Sequence, residues 1–265
     1  MKFLSLPRFQ LTELEDLPWF PGVVRAGMMD CLRFFFTLLN VYKSTVPVVC
    51  DLLKQANKTT VLDLCSGGGG ASAQVLAQLR SNCIPDAELL LSDLYPNLAA
   101  FQYLQQQAGG ALGFIPEPVN ALQVPEGLPN VRTLYTAFHH FTPANASEML
   151  VSCARLKVYI GIFEGTSRSW VNLLLVLPLP LLVWLATPFI RPFSWKRLLF
   201  TYLIPLIPLG VFWDGLVSML RLYSIEELEQ MTAAAAVPGY KWEVRQIKHW
   251  LGVQTVQIVG MPVGK

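Results

Sequence analysis

The chain has 265 residues, of which 53% are hydrophobic and only 14% are charged, and its 20 basic and 18 acidic side chains leave a net charge of +2. This composition excludes an intrinsically disordered protein, and the weak net charge argues against nucleic acid or a strongly acidic substrate as partner. The mean hydropathy of +0.42 is high enough to raise the question of membrane contact.

The cysteines and the first residues indicate the compartment. The five cysteines, at positions 31, 50, 65, 83 and 153, form no C-x-x-C pair. They therefore indicate neither a disulfide framework nor a zinc site, and we expect a reducing setting and no metal. The short apolar start gives way to acidic residues at Glu13, Glu15 and Asp16, so we expect no signal peptide.

Residues 1–58 are predicted to form an N-terminal helical lid region. The pattern from Leu17 to Leu53 favours helix, interrupted at Pro47. Its apolar stretch Cys31–Val41 is too short to span a bilayer. We therefore prefer a packed helix to a membrane-facing one here.

Residues 59–164 alternate between strand and helix patterns. Predicted strands cover 59–64, 87–92, 112–119, 131–137 and 157–163, and predicted helices cover 71–80, 94–107 and 144–155. Such alternation is typical of an α/β fold with a parallel, doubly wound, Rossmann-like sheet.

Residues 165–213 form a hydrophobic insertion with four basic residues and no acidic one. Val171–Ile190 has 20 residues without a charge, the length of a transmembrane helix, whereas Leu198–Trp213 has only 16. Prolines interrupt both runs, and the loop Arg191–Arg197 between them is basic. We predict a membrane-associating hairpin that dips in or lies flat, with this loop at the headgroups and the catalytic domain on the cytoplasmic side. The alternative is a pair of buried helices or an oligomer interface.

Residues 214–265 are predicted to complete the sheet. Ser224 and Glu227 have the spacing of a capping box that opens a helix through about Ala236. Strands at Tyr240–Ile247 and Val253–Val259 follow, with a turn at Gly252.

A glycine cluster, Gly67–Gly70, follows the first predicted strand, and Asp93 ends the second. Glycines allow a ligand to approach the backbone closely, and the next helix offers free N–H groups. Asp93 is suited to bind a ribose diol. The spacing from Gly68 through Gly70 to Ala73 also satisfies a loose dinucleotide fingerprint, so NAD(P) stays open on the glycines alone.

Several motifs, taken together, resemble those of the class I S-adenosylmethionine-dependent methyltransferases, over residues 59–164 and 214–265. Asp63-x-Cys65-x-Gly67-x-Gly69 is similar to their first motif. The segments ending at Asn97, at Ala121 and at Phe141 resemble later ones, and the terminal hairpin resembles their reversed last strand. Cys65 replaces the first glycine and Asn120 replaces an acidic residue of the family pattern.

This resemblance implies S-adenosylmethionine as cofactor, with Asp63 near its amino group, Gly67 and Gly69 facing its methionine part, Asp93 on its ribose and Asn120 with Ala121 beside adenine. The candidate cofactor-binding residues are Asp63, Cys65, Ser66, Gly67, Gly69, Asp93, Leu94, Asn120 and Ala121.

His139 and His140 are candidate catalytic residues, because a histidine can take a proton from an attacking hydroxyl or amine. Methyl transfer can also rely mainly on proximity. We expect methylation of oxygen, nitrogen or carbon on a small or lipophilic acceptor, with membrane lipid as a further partner. An NAD(P)-dependent oxidoreductase and an inactive membrane-anchored binding protein are the alternatives.

Overall fold

The computed structural model describes residues 7–248 and 254–263. The start of the chain, on which the signal-peptide expectation depends, and the predicted turn at Gly252 lie outside these residues. A seven-stranded sheet forms the centre, in the order β3-β2-β1-β4-β5-β7-β6. Its strands are β1 Thr60–Leu64, β2 Glu88–Leu91, β3 Leu112–Phe114, β4 Val131–Tyr135, β5 Tyr159–Glu164, β6 Tyr240–Lys248 and β7 Gln254–Pro262.

Strands β1 to β5 pair in parallel, whereas β7 runs antiparallel to both β5 and β6. The predicted Rossmann-like sheet with a reversed last strand is confirmed. The strand order changes direction between β1 and β4, and ligands of open α/β sheets bind at the carboxyl ends of the strands at such a point.

Helices cover both faces of the sheet, and two apolar cores lie between them and the strands. One core includes side chains of α2, α3 and α4, and the other includes side chains of α5 and α10. The described helices are α1 Gly22–Leu39, α2 Val46–Ala56, α3 Gly70–Asn82, α4 Leu98–Gln107, α5 Pro143–Arg155, α6 Trp170–Leu174, α7 Leu179–Ala186, α8 Trp195–Leu198, α9 Leu206–Arg221 and α10 Ile225–Ala234.

Two local expectations differ from the structure. Strand β3 ends at Phe114 and not at Val119, because Pro116 and Pro118 cannot donate to the hydrogen-bond ladder. Pro47 does not interrupt a helix but lies in the first turn of α2, where its missing N–H costs nothing.

The prolines interrupt the first apolar run of the insertion, as predicted, and divide it into α6, α7 and a short 3₁₀ turn at Thr187–Phe189. Among the described residues no single helix is long and apolar enough to cross a membrane. Trp195–Leu203 and Leu206–Arg221 reach that length only as a pair, with a bend of 78° between them.

Helices α7 and α9 pack against α1 around a small apolar core. Beside this core Arg197 is buried, and its guanidinium lies 2.5 Å from Asp30 of α1. Arg33 also pairs with Asp30, at 3.2 Å. The expectation of a wholly headgroup-facing basic loop is therefore wrong for Arg197, because α1 supplies the counter-charge that the insertion lacks.

Candidate functional site

The loop after β1 turns sharply because several of its residues adopt left-handed backbone angles. Cys65, Gly67 and Gly69 have φ of 55°, 53° and 70°, a region that favours glycine. A Cβ atom at Gly68 would lie 2.7 Å from the backbone oxygen of Met29 in α1. The glycines thus allow α1 to pack directly on the loop.

Asp63 lies near the end of β1 and is buried beneath this loop. Its Oδ1 accepts a hydrogen bond from the Thr133 hydroxyl at 2.7 Å, and its Oδ2 accepts one from the Ser72 hydroxyl at 2.9 Å. Burial raises the pKa of Asp63 to about 6. The carboxyl group therefore ties β1 to β4 and to the first turn of α3.

Asp93 follows β2 and faces the glycine loop from the neighbouring strand. Its Oδ2 accepts a hydrogen bond from the Gly67 N–H at 2.7 Å, and its Oδ1 accepts one from the Tyr95 N–H at 2.8 Å. Each carboxylate oxygen keeps a second lone pair for a ligand hydroxyl.

A cavity of about 220 Å³ opens at this edge of the sheet. Its lining includes the glycine-loop residues and Asp93, together with Met29, Leu32 and Phe36 of α1. The predicted site residues that line it are Asp63, Cys65, Ser66, Gly67, Asp93, Leu94 and His140.

Four predicted residues are not in the cavity lining: Gly69, Asn120, Ala121 and His139. Gly69 supports the turn, where a Cβ would lie 2.7 Å from a Leu104 methyl. Asn120 is exposed, and its side chain accepts a hydrogen bond from the Leu122 N–H at 3.0 Å. Ala121 is packed in the core. The predicted contacts of Gly69 with the methionine part and of Asn120 and Ala121 with adenine stay predictions.

His139 is buried and held by Glu164 at the end of β5. The Glu164 carboxylate accepts a bond from the His139 backbone N–H and lies 3.0 Å from its Nδ1. Arg168, the basic residue next along the chain from Glu164, pairs instead with Glu227 at 3.3 Å.

His140 lies at the cavity floor among acidic side chains. Its Nδ1 lies 2.8 Å from Oδ1 of Asp16, and its Nε2 lies 3.4 Å from Oε1 of Glu15. Burial alone would lower the pKa of His140, but Glu13, Asp16 and Glu15 outweigh it and raise the pKa to about 10. In this state the ring is an imidazolium with no lone pair for a proton, which argues against the general-base role.

The acidic residues come from the N-terminal segment, whose part in the site the sequence did not indicate. Asp214 accepts hydrogen bonds from the backbone N–H groups of Leu14, at 2.7 Å, and Glu15, at 3.1 Å. Arg221 lies 2.6 Å from Asp16. Helix α9 therefore fixes this segment over the histidines, at a sequence separation that no local pattern reveals.

No model of a known protein family matches the chain, and no curated protein sequence matches it. Among solved structures, an O-methyltransferase family protein from Burkholderia thailandensis is similar, with 21% identity, a TM-score of 0.51 and coverage of 89% of this chain and 60% of that one. The plantazolicin methyltransferase BamL, solved with a triazolic desmethylPZN analog and S-adenosylhomocysteine, has 11% identity, a TM-score of 0.49 and coverage of 91% and 98%. Human N-acetylserotonin methyltransferase, solved with S-adenosylmethionine, has 13% identity, a TM-score of 0.46 and coverage of 88% and 56%.

This chain spans about three fifths of the first of these structures. At such low identity the likeness bears on the fold alone. The strand order and the reversed β7 agree with it. The chain has the fold of the class I S-adenosylmethionine-dependent methyltransferases.

Proposed function

We propose that the chain is an S-adenosylmethionine-dependent methyltransferase that acts on a small or lipophilic acceptor. The observation that carries the proposal is the cavity between the glycine loop with Asp93 and the apolar side of α1. It lies at the carboxyl ends of β1, β2 and β4, where α/β sheets bind ligands.

The residues of this cavity fit the cofactor. Gly67 and Gly68 leave the backbone open to close approach, as a zwitterionic tail requires, and Asp93 has lone pairs for two ribose hydroxyls. Asp63 orients the loop from beneath through Ser72. When bound, the cofactor supplies an electrophilic methyl group on a sulfonium centre.

The alternative cofactor, NAD(P), fits the sheet and the cavity less well. Nicotinamide Rossmann domains have the strand order 3-2-1-4-5-6, whereas here the reversed β7 lies between β5 and β6. The buried carboxyl group of Asp63 directly beneath the loop is also a poor neighbour for a pyrophosphate.

For the acceptor, we propose the part of the cavity near Phe36, Tyr135 and Phe141, which suits an apolar molecule. We assign a positioning role to His140, which lines the cavity, and to His139 behind it. Methyl transfer to an oxygen, nitrogen or carbon then relies on orientation of donor and acceptor. The acceptor atom is the subject of the assay below.

We further propose that the insertion contacts a membrane and that the catalytic domain faces the cytoplasm. Soluble monomers rarely expose large apolar patches. Arg191 and Lys196 are exposed nearby and suit headgroup contact. The exposed apolar side chains of this region include Leu174, Leu177, Leu181, Trp184, Leu185, Phe189, Trp195, Leu203 and Leu209.

The cofactor is tested by thermal unfolding of the full chain with S-adenosylhomocysteine or NADH. We expect S-adenosylhomocysteine to raise the Tm of wild type by several degrees and NADH to have no effect. Asp93→Ala should lose this response, whereas the exposed control Asp86→Ala should keep it. A response to NADH alone would overturn the proposal.

Turnover and membrane contact need separate measurements. Transfer of a labelled methyl group into lipid extracts and small phenols tests for methyltransferase activity. Cofactor binding without any methylated product would favour the inactive binding protein.

Flotation with neutral and anionic vesicles tests for membrane contact. A soluble protein that never floats would refute that part, and a dimer in solution would indicate an oligomer interface.

A further inference from the structure

Beside the cavity, side chains from two distant parts of the chain converge, one near the N-terminus and one after β4. One carboxylate oxygen of Glu13 and one ring nitrogen each of His139 and His140 lie within 4.8 Å of one another. Glu13 and His139 are each only 1% exposed. The methyltransfer proposal above uses none of these three atoms for the cofactor.

Both histidines are oriented alike. Nδ1 of His139 lies 3.0 Å from Glu164, and Nδ1 of His140 lies 2.8 Å from Asp16. Each ring thus has a carboxylate on Nδ1 and turns Nε2 toward Glu13. An ion bound at Nε2 of His140 would displace the proton that this ring carries without it. A histidine that binds a metal almost always donates its other ring N–H to such a group.

The facing atoms of Glu13 and of the two rings form no hydrogen bonds with one another. Nε2 of His139 is buried and has no hydrogen-bond partner among the described residues. Oε1 of Glu13 is also buried and accepts no hydrogen bond, although Arg221 lies 3.1 Å from it. These two buried atoms lie 3.7 Å apart, and Nε2 of His140 lies 3.7 Å from Oε2 of Glu13. These distances are too long for hydrogen bonds. Two ligands of one tetrahedral ion, each bound at about 2.1 Å, lie about 3.4 Å apart.

Five carboxyl groups surround these atoms, against one arginine and the His140 ring. Arg221 lies 3.1 Å from Glu13, and Ser218 donates to the other Glu13 oxygen at 2.8 Å. Among the described residues, Arg221 is the one arginine that forms ion pairs with this group of carboxylates. The carboxylates are Glu13, Glu15, Asp16, Glu164 and Asp214. Buried carboxylates are retained when paired or when they coordinate a cation.

We propose that Glu13, His139 and His140 bind a divalent transition-metal ion, with Glu15 as a further ligand. Two imidazoles and a carboxylate suit Zn²⁺, Mn²⁺ or Fe²⁺ better than Mg²⁺ or Ca²⁺, which prefer oxygen ligands alone. His140 and Glu15 also line the cavity, so the ion presents an open coordination position to a molecule bound there. The cysteine and histidine spacing gave no sign of this site, because Glu13 and Glu15 are remote in sequence from the two histidines.

The test is calorimetric titration of the full chain, stripped with EDTA, with Mn²⁺, Zn²⁺ or Mg²⁺. We expect one equivalent of Mn²⁺ or Zn²⁺ to bind and Mg²⁺ to bind much more weakly. Glu13→Gln keeps the shape and the acceptor for Ser218 but removes the charge, and His140→Gln removes a ring nitrogen. Both should weaken binding by more than the roughly 10–100-fold expected for the outer partner in Glu164→Gln.

The control is Glu117→Gln, an exposed carboxylate outside the cluster, which should bind as wild type does. Circular dichroism and the S-adenosylhomocysteine response establish that each variant is folded, and they keep failure of this site distinct from failure of the methyltransferase proposal. No binding to wild type would overturn the proposal and leave Arg221 as the cation of the cluster. Equal binding by folded Glu13→Gln and wild type would also overturn it.

Discussion

Residues 59–164 and 165–213 differ in where their apolar side chains lie. In the first region, the apolar side chains of β1 and β4 are fully buried between helices on both faces of the sheet. In the second, α7 packs on α1 and α9 with one side, while leucines and tryptophans of the same segment are exposed. Hydrophobic content alone therefore does not make a core. An apolar residue is buried only where a second element covers it.

The largest expected effect comes from the carboxylate of Asp30, which anchors the insertion to α1. Asp30→Ala leaves Arg33 and Arg197 buried without their carboxylate, and we expect the free energy of unfolding to fall by about 3–5 kcal/mol. Urea denaturation measures it, with the exposed Asp86→Ala as control. An unchanged midpoint would mean that the insertion is not anchored through this pair.

A matched pair of leucines tests the contrast directly. Leu134→Ala in β4 removes a side chain that is 0% exposed, and we expect a loss of about 2–5 kcal/mol. Leu185→Ala in α7 removes one that is 51% exposed, and we expect a change within about 0.5 kcal/mol. Equal losses in urea denaturation would show that the insertion is buried in solution, against another chain or another part of this one.

The buried carboxyl group of Asp63 makes the stability of residues 59–164 depend on pH. Burial raises the pKa of Asp63 to about 6, above its unfolded value, so the folded state holds the proton more tightly. The stability gained from this proton is complete below about pH 4 and is lost as the pH rises through 6, by about 2–3 kcal/mol. Asp63→Asn should reduce the difference between the free energies of unfolding at pH 4 and pH 7, as measured by urea denaturation at each pH. A difference identical to that of wild type would contradict the assignment.

The smallest expected effect is on vesicle binding, when one exposed leucine of the insertion is replaced. Leu203 is 75% exposed, and Leu203→Ser should weaken vesicle binding by about 1.5 kcal/mol, or roughly tenfold. Its free energy of unfolding should stay unchanged. Vesicle flotation and urea denaturation of the same variant separate the two. A variant that unfolds more easily but floats normally would assign Leu203 to a core.

Sequence patterns predicted the sheet because strand and helix periods differ and the glycine loop marks the first crossover. They also predicted one site for Cys65, Ser66 and Asp93, which line the same cavity, since the carboxyl ends of neighbouring parallel strands share an edge of the sheet. These inferences needed only local patterns and one rule of topology.

The rest depends on contacts between distant segments. The partner of Arg197 is Asp30, far away in α1, and the insertion therefore looked like an unpaired basic loop. Glu13 and Asp16 lie over the histidines only because α9 holds their backbone. Hydrophobic periodicity contains no information on such pairings.

The position of β7 bears on how the chain folds during synthesis. Strand β5 ends at Glu164. One edge of β5 pairs with β4, but β7, which pairs with the other edge, begins only at Gln254. At roughly 5–20 residues per second, the edge of β5 stays unpaired for about 5–18 s while the apolar insertion emerges. An unpaired strand edge next to an exposed apolar segment promotes aggregation. Early capture of the insertion, by a lipid surface or by a chaperone, would shield the nascent chain until the hairpin closes the sheet.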